Sequence, residues 1–283
     1  MSITVGVIGA GTMGAGIAQV AAQAGCDVLL YDVADEMITR GQLAIAQDLQ
    51  RGVDRGKVGK NEADEILMRI HSAPTLEHLR SASVVIEAAV ERLNIKQDIF
   101  SALDRICSAE TLLATNTSSL SVTEIAAVTR FPERVVGMHF FNPVPKMRLV
   151  EVVSGHRTTP EYLSHAKIFA ERLGKDVVVA KDSPGFIVNR VARNFYGEAL
   201  RLLGEGAGTV EVIDRSLRAL GLAMGPFELM DMIGIDVNLA VTESVYNQFY
   251  QEPRFRPHPI QRKMVQAQLL GRKTKQGFYR YDA

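Results

Sequence analysis

Apolar residues recur along the chain in two different rhythms. ITVGVI (3–8) is a short continuous apolar run, as expected of a strand buried on both faces. Helix-like residues 12–24 follow, and VLLY (28–31) is a second buried run. Residues 34–70 carry helical spacing with a break near GVDRGKVGK. Further strand-like runs are SVVIEAAV (83–90), TLLAT (111–115), RVVGMHFF (134–141), LVEVV (149–153) and KDVVVA (175–180). Helical stretches separate most of them, so the first part of the chain predicts an alternating β/α domain around a parallel sheet. The rhythm changes after Asp182-Ser183-Pro184-Gly185. From Phe186 onward the spacing is helical. VNRVARNFYGEALRLLGEG, VEVIDRSLRALG (closed by Gly221), GPFELMDMIGIDVNLAVTESVYNQF and RPHPIQRKMVQAQLLG supply four or five helices. The expectation is an α/β domain over 1–183 and an all-α domain over 184–283.

Composition narrows the possibilities. The 283 residues are 47% hydrophobic and 23% charged, enough for one large or two moderate cores. Lys+Arg and Asp+Glu both number 32, which argues against a nucleic-acid partner. No apolar run reaches the roughly 18–20 residues that span a bilayer. Strand character already begins at Ile3, which leaves no room for a targeting segment. Cys26 and Cys107 form no metal-like or disulfide-like pattern, and a reduced, cytoplasmic setting is expected.

The candidate chemistry lies where strands end. Gly9-Ala10-Gly11-Thr12-Met13-Gly14 matches G-x-G-x-x-G between a predicted strand and a predicted helix. In that context Gly9 allows a tight turn, Gly11 a close approach of a pyrophosphate, and Gly14 close packing of helix on strand. Asp32, at the end of the second strand, is placed to meet the adenosine ribose hydroxyls. Its charge disfavours an additional phosphate there, so NAD is expected rather than NADP. Three more strands end in polar clusters: Glu87 to Glu91, Asn116-Thr117-Ser118-Ser119, and His139. Ser121 or Ser119 reads as a helix cap, Ser121 with Glu124 forming a capping box, which leaves Asn116 and Ser118 for other work. His139 and Glu151 sit on successive strands joined by a Pro-containing loop. By spacing alone His139 reads two ways, as a packed histidine or as a base whose tautomer a carboxylate holds.

The motifs GVIGAGTMGAGIAQ, IEAAVERLNIKQDIF, NTSSLSVTEIA, GMHFFNPVPKMRLVEVV, DSPGFIVNRV, GPFELMDMIGID and GRKTKQGFYRY occur in this order over nearly the whole chain. In this the sequence resembles the L-3-hydroxyacyl-CoA dehydrogenases, and their short bacterial 3-hydroxybutyryl-CoA form in particular. The resemblance implies an NAD-binding Rossmann-like domain followed by a helical substrate and dimerisation domain. It implies NAD-dependent interconversion of (S)-3-hydroxyacyl-CoA and 3-oxoacyl-CoA in a homodimer joined through the C-terminal domain. His139 would be the acid/base and Glu151 its electrostatic partner. Ser118 would bond the substrate oxygen, Asn142 would contact substrate, and Asn189 would orient it. Glu91, Lys96 and Asn116 would line the NAD site with Thr12 and Met13 of the glycine loop, and Lys273 would reach the cofactor from the tail. Arg51 and Lys57 are the candidates for the CoA phosphates; either also reads as part of a solvated helix face. Phe227, Leu229, Met230 and Met232 are candidates for the dimer interface or for core. Two other readings stay open here: a β-hydroxyacid dehydrogenase using a lysine base, for which Lys181 is available, and a non-catalytic, crystallin-like relative.

Overall fold

Most of the short apolar runs become strands because burial on both faces of a sheet suits a sequence without alternation, while KDVVVA forms an edge strand that stays largely exposed. A computed structural model describes residues 3–281. The chain divides into two units, Met1–Ser183 and Pro184–Ala283.

The first unit is built on an eight-stranded sheet. Its strands are β1 (Thr4–Ile8), β2 (Asp27–Tyr31), β3 (Ile70–Ser72), β4 (Val84–Glu87), β5 (Leu112–Thr115), β6 (Val135–Phe140), β7 (Leu149–Ser154) and β8 (Asp176–Lys181). Their order is β3-β2-β1-β4-β5-β6-β7-β8. The first six run parallel in the doubly wound order, whose chain reversal beside β1 is where such sheets bind ligands. The all-parallel expectation needs one correction. β7 pairs antiparallel with β6, and β8 runs parallel to β7, so the last two strands are reversed. The physical reason is the connection: the eight residues between β6 and β7 are too few for a crossover, and a short link returns the chain antiparallel. β3 was not legible in sequence, since three residues are too few to establish a period.

Helices α1 (Thr12–Gln23), α2 (Asp35–Asp54), α3 (Lys60–Met68), α4 (Leu93–Ile106), α5 (Val122–Ala126) and α6 (Pro160–Arg172) flank the sheet. α1 is buried along nearly its whole length from Gly14 to Ala22. α2 buries only Ile38, Gly41, Ile45 and Leu49, a single stripe at helical spacing. A Cβ on Gly41 would stand 2.7 Å from the Ala10 carbonyl oxygen, so α2 comes up against the glycine loop.

The second unit holds α7 (Val188–Gly204), α8 (Val210–Ala219), α9 (Pro226–Ile233), α10 (Ile235–Gln248) and α11 (Pro259–Gln266). Its core gathers Tyr196, Ala199, Leu200, Ile213, Phe227, Met230 and Ile235. Two buried aspartates organise it. Asp214 of α8 accepts from Phe227 N (3.0 Å) and Glu228 N (2.9 Å), satisfying the open first turn of α9. Asp231 accepts from Phe278 N and Tyr279 N at 3.0 and 2.9 Å and fastens the GRKTKQGFYRY tail to α9. Of the residues considered for a dimer interface, Phe227 and Met230 are wholly buried in this core. Leu229 packs against it, and Met232 is exposed. No helix among the described residues is long and apolar enough to cross a membrane.

Candidate active site

At the carboxyl end of β1 the three glycines have three distinct environments. Gly9 has φ +93°, and a Cβ there would meet the Ala88 carbonyl oxygen at 2.6 Å. A Cβ on Gly14 would lie 1.6 Å from the Gly9 oxygen, so helix and strand meet backbone to backbone. A Cβ on Gly11 would find nothing within 4 Å. That open space faces the N-terminus of α1, where first-turn amides and the helix dipole favour a phosphate. Asp32 follows β2, accepting from Ala10 N at 2.7 Å and Ala34 N at 3.3 Å. Two carboxylate oxygens carry about four acceptor positions, so a ribose hydroxyl can still donate to it. These residues fit a dinucleotide.

Next to β1, the end of β4 carries a carboxylate network. Glu87, 0% exposed, accepts from Lys96 Nζ (2.6 Å) and from the Thr115 hydroxyl of β5 (2.7 Å). Lys96, expected along the cofactor site, is itself 1% exposed, and its ammonium also lies 3.4 Å from Glu91. Its ion-pair partners among the described residues are Glu87 and Glu91. One oxygen of Glu91 gathers the turn after β5. It accepts from the Thr117 hydroxyl (2.6 Å), Ser118 N (2.8 Å), the Ser118 hydroxyl (3.1 Å) and Ser119 N (3.2 Å). Desolvation by the surrounding protein works against the Glu91 charge, but Lys96 and these donors outweigh it and hold its pKa below the ordinary value. Asn116 accepts from Phe140 N at 2.9 Å, tying this turn to the residue after His139. Ser121 does cap α5, through Glu124 N at 3.2 Å, and its hydroxyl donates to Asp182 at 2.8 Å.

His139 and Glu151 face each other directly across the β6–β7 ladder. The ring Nδ1 is 2.7 Å from Glu151 Oε2, with His139 6% exposed and Glu151 0%. The Phe141 ring lies 4.5 Å from the imidazole, centroid to centroid. Phe140 turns into the core. The link between the strands is anchored by Val144, which packs on α1 so closely that a Cβ on Gly16 would stand 2.8 Å from it. Lys175 Nζ donates to the Val144 and Met147 carbonyls at 2.6 and 2.9 Å.

A cleft of about 450 Å³ runs from Gly11 and Thr12 past Arg40, Asp48 and Arg51 of α2 to Asn142 and Lys146. It brings together Thr12, Arg51 and Asn142. Arg51 is paired with Asp48 at 3.0 Å. Lys57 is not among the residues lining this cleft. Arg40 and Lys146 were missed by the sequence reading. Arg40, Ala44, Asp48 and Arg51 stand at intervals of four, four and three, so helical spacing could have found the first. Met13 packs against the core. Glu87 and Thr117 stood in the strand-end clusters without an assigned role, because only the fold shows which carboxylate each hydroxyl meets.

Two expected residues belong to the helical unit. Asn189 lies in the first turn of α7, its carbonyl accepting from Arg193 Nε at 3.1 Å. Lys273 donates to Asp236 at 2.6 Å. Desolvation raises the Asp236 pKa, but Lys273 overrides it and the net shift is downward. Both cysteines are free and buried, and no cluster that could hold a metal occurs among the described residues.

Two family models match the chain. One, described as 3-hydroxyacyl-CoA dehydrogenase, NAD binding domain, covers residues 4–183; the other, 3-hydroxyacyl-CoA dehydrogenase, C-terminal domain, covers 185–281. The 3-hydroxyadipyl-CoA dehydrogenase of Escherichia coli (strain K12) is 49% identical over 99% of the chain, and the chain spans 59% of that protein's length. A probable 3-hydroxybutyryl-CoA dehydrogenase of Bacillus subtilis (strain 168) is 44% identical over 98% of the chain and 96% of its own length. The crystal structure of the (S)-3-hydroxybutyryl-CoA dehydrogenase of Ralstonia eutropha superimposes with a TM-score of 0.96 at 40% identity, covering 100% of both chains.

Proposed function

The chain belongs to the 3-hydroxyacyl-CoA dehydrogenase family, and from that premise we propose that it interconverts (S)-3-hydroxyacyl-CoA and 3-oxoacyl-CoA with NAD. Short substrates such as 3-hydroxybutyryl-CoA and acetoacetyl-CoA are the proposed class. The observation that carries the reading is the buried His139–Glu151 pair at 2.7 Å, on the strand adjacent to the one that leads into the Ser118 turn.

The glycine loop, Asp32 and Glu91 would hold NAD, which when bound supplies the acceptor for the hydride leaving C3. His139 takes the 3-hydroxyl proton in oxidation and returns one to the forming alkoxide in reduction. With Nδ1 turned to Glu151, the proton moves at Nε2, and the carboxylate stabilises the imidazolium that forms. The Ser118 hydroxyl turns from Glu91 to donate to the substrate oxygen, while its backbone N–H stays on Glu91. Asn142 and Arg51 line the approach for the CoA portion, and Asn189 orients the acyl group. A homodimer in the cytoplasm is part of the same proposal.

The lysine-base alternative is disfavoured by register. Lys181 is level with Ser154 and hence with Val136, three residues and roughly 10 Å along β6 from His139, on the far edge of the sheet. The non-catalytic alternative would leave the His139, Glu151 and Ser118 set idle. Acetoacetyl-CoA-dependent oxidation of NADH tests both. The wild type should turn over, and His139→Ala should lose about 10²–10⁴-fold in kcat with NADH affinity retained. Undiminished turnover in the variant would overturn the assignment of the base.

A further inference from the structure

One cation inside the helical unit has no counter-charge among the described residues. Arg193 faces inward from α7 and is 4% exposed. Its Nε donates to the Asn189 carbonyl at 3.1 Å. Its Nη1 donates to the Asn238 carbonyl and the Thr242 hydroxyl at 2.8 and 2.9 Å. The guanidinium carbon lies 5.0 Å from the centre of the Tyr196 ring. Every one of these partners is neutral. Among the described residues no carboxylate is within ion-pair reach of Arg193, and its Nη2 makes no hydrogen bond. Burial accordingly pulls its pKa down to about 10. Buried guanidinium groups are ordinarily paired, because an uncompensated charge in the interior is strongly unfavourable.

The space around Arg193 has the complementary character. It lines a small cavity of about 10 Å³, room for one water, together with Thr242, Arg254, Arg256, His258 and Gln261. Arg256 and His258 also wall an open cleft of about 480 Å³ beside Glu243, Tyr246 and Arg262. The charges of these groups do not cancel. Arg262 is paired with Glu243 at 2.8 Å, whereas Arg254 is 3.9 Å from Glu252. Arg256 has no ion-pair partner among the described residues. Burial first, and Arg201 second, hold the His258 pKa down, and its Nδ1 accepts from Ile260 N at 3.3 Å. Neutral, with Nδ1 an acceptor, the ring carries its proton on Nε2 and can donate to an anion.

We propose that the inner cavity and the open cleft form a binding site for a small oxyanion, a carboxylate or phosphate group, held between Arg193 and Arg256. One oxygen of the ligand occupies the inner cavity beside Arg193. The others face Arg256, and the rest of the molecule occupies the cleft. Guanidinium forks match both oxyanions in geometry, and chloride lacks the paired acceptors. The site lies within the helical unit, and its Arg193 touches the dehydrogenase reading only through the Asn189 backbone carbonyl.

The test uses the full chain saturated with NAD, so that no response comes from the glycine loop. Thermal unfolding is followed against inorganic phosphate, acetate and chloride at matched ionic strength. Phosphate or acetate should raise Tm saturably and chloride should not; which of the two acts names the group. Arg256→Gln, at an exposed position, should weaken the response about tenfold or more. Arg193→Met should abolish it without lowering the anion-free Tm, since it removes an uncompensated buried charge. Crystals soaked in selenate should show anomalous density between the two arginines. No saturable response to either oxyanion, equal responses in wild type and Arg256→Gln, or selenate bound only elsewhere would each overturn the proposal.

Discussion

Replacing Glu151 by glutamine keeps the size of the side chain and a hydrogen bond to His139 but removes the charge. The carboxylate oxygen is 2.7 Å from the imidazole Nδ1, and the two residues are 0% and 6% exposed, so water screens little of the interaction. Two unit charges at 2.7 Å attract by about 6 kcal/mol at an effective permittivity near 20, which is a ceiling because glutamine still offers its amide oxygen. A net contribution of about 1.5–3 kcal/mol, usual for hydrogen bonds to charged groups, is the better guide. At about 1.4 kcal/mol per factor of ten, kcat should fall roughly 10- to 150-fold. The loss belongs to the step that creates imidazolium, so KM for acetoacetyl-CoA and the affinity for NADH should change little. The assay is NADH consumption under saturating acetoacetyl-CoA, with NADH binding measured separately by its fluorescence. A kcat within about twofold of wild type, in a variant that unfolds at the wild-type temperature, would refute the argument that Glu151 carries the imidazolium.

Gly14→Ala should prevent stable folding of the glycine loop, because the new Cβ would overlap the Gly9 carbonyl oxygen at 1.6 Å. Gly11→Ala should leave Tm unchanged, there being nothing within 4 Å, yet weaken NAD binding; calorimetry on the two variants separates fold from ligand. Glu87→Ala leaves Lys96 buried without its nearest carboxylate and should lower unfolding free energy by about 3–5 kcal/mol in a urea titration. A loss below about 1 kcal/mol would show the pair to be dispensable. Glu91 has a native pKa below its ordinary 4.5, so the native state binds fewer protons than the unfolded chain as pH falls through that value. Its contribution is present above the unfolded pKa and is lost as pH drops through the native one. Glu91→Gln should flatten this part of the acid limb of stability, and an unchanged slope would count against it. Asp32→Ala should raise KM for NADH several-fold, and a slight fall in Tm should accompany it because Ala10 N loses its acceptor.

The amino-acid sequence by itself determined the two-part organisation and the strand–glycine–helix start, and it named the residues proposed to carry the chemistry. These are local properties. Apolar runs, helical stripes and glycine spacing are written in neighbouring residues, and burial in a sheet or against one face of a helix converts them directly into structure. What the tertiary structure decided is which polar groups meet. His139 and Glu151 are twelve residues apart in sequence, and only the antiparallel turn-back of β7 sets them opposite each other. The parallel continuation that the sequence suggested would have needed a longer connection than the chain provides. Lys96 was expected along the cofactor site, and the fold turned it inward because Glu87 on β4 and Glu91 on the following loop both face it. Glu91 likewise holds the Ser118 turn through residues 26 to 28 positions further along the chain. The Asp231 motif, legible only as a family signature, proved to be the fastening of the C-terminal tail to α9. Hydrogen bonds and ion pairs act over about 3 Å, and no periodicity along the chain encodes which distant partner will come within that range.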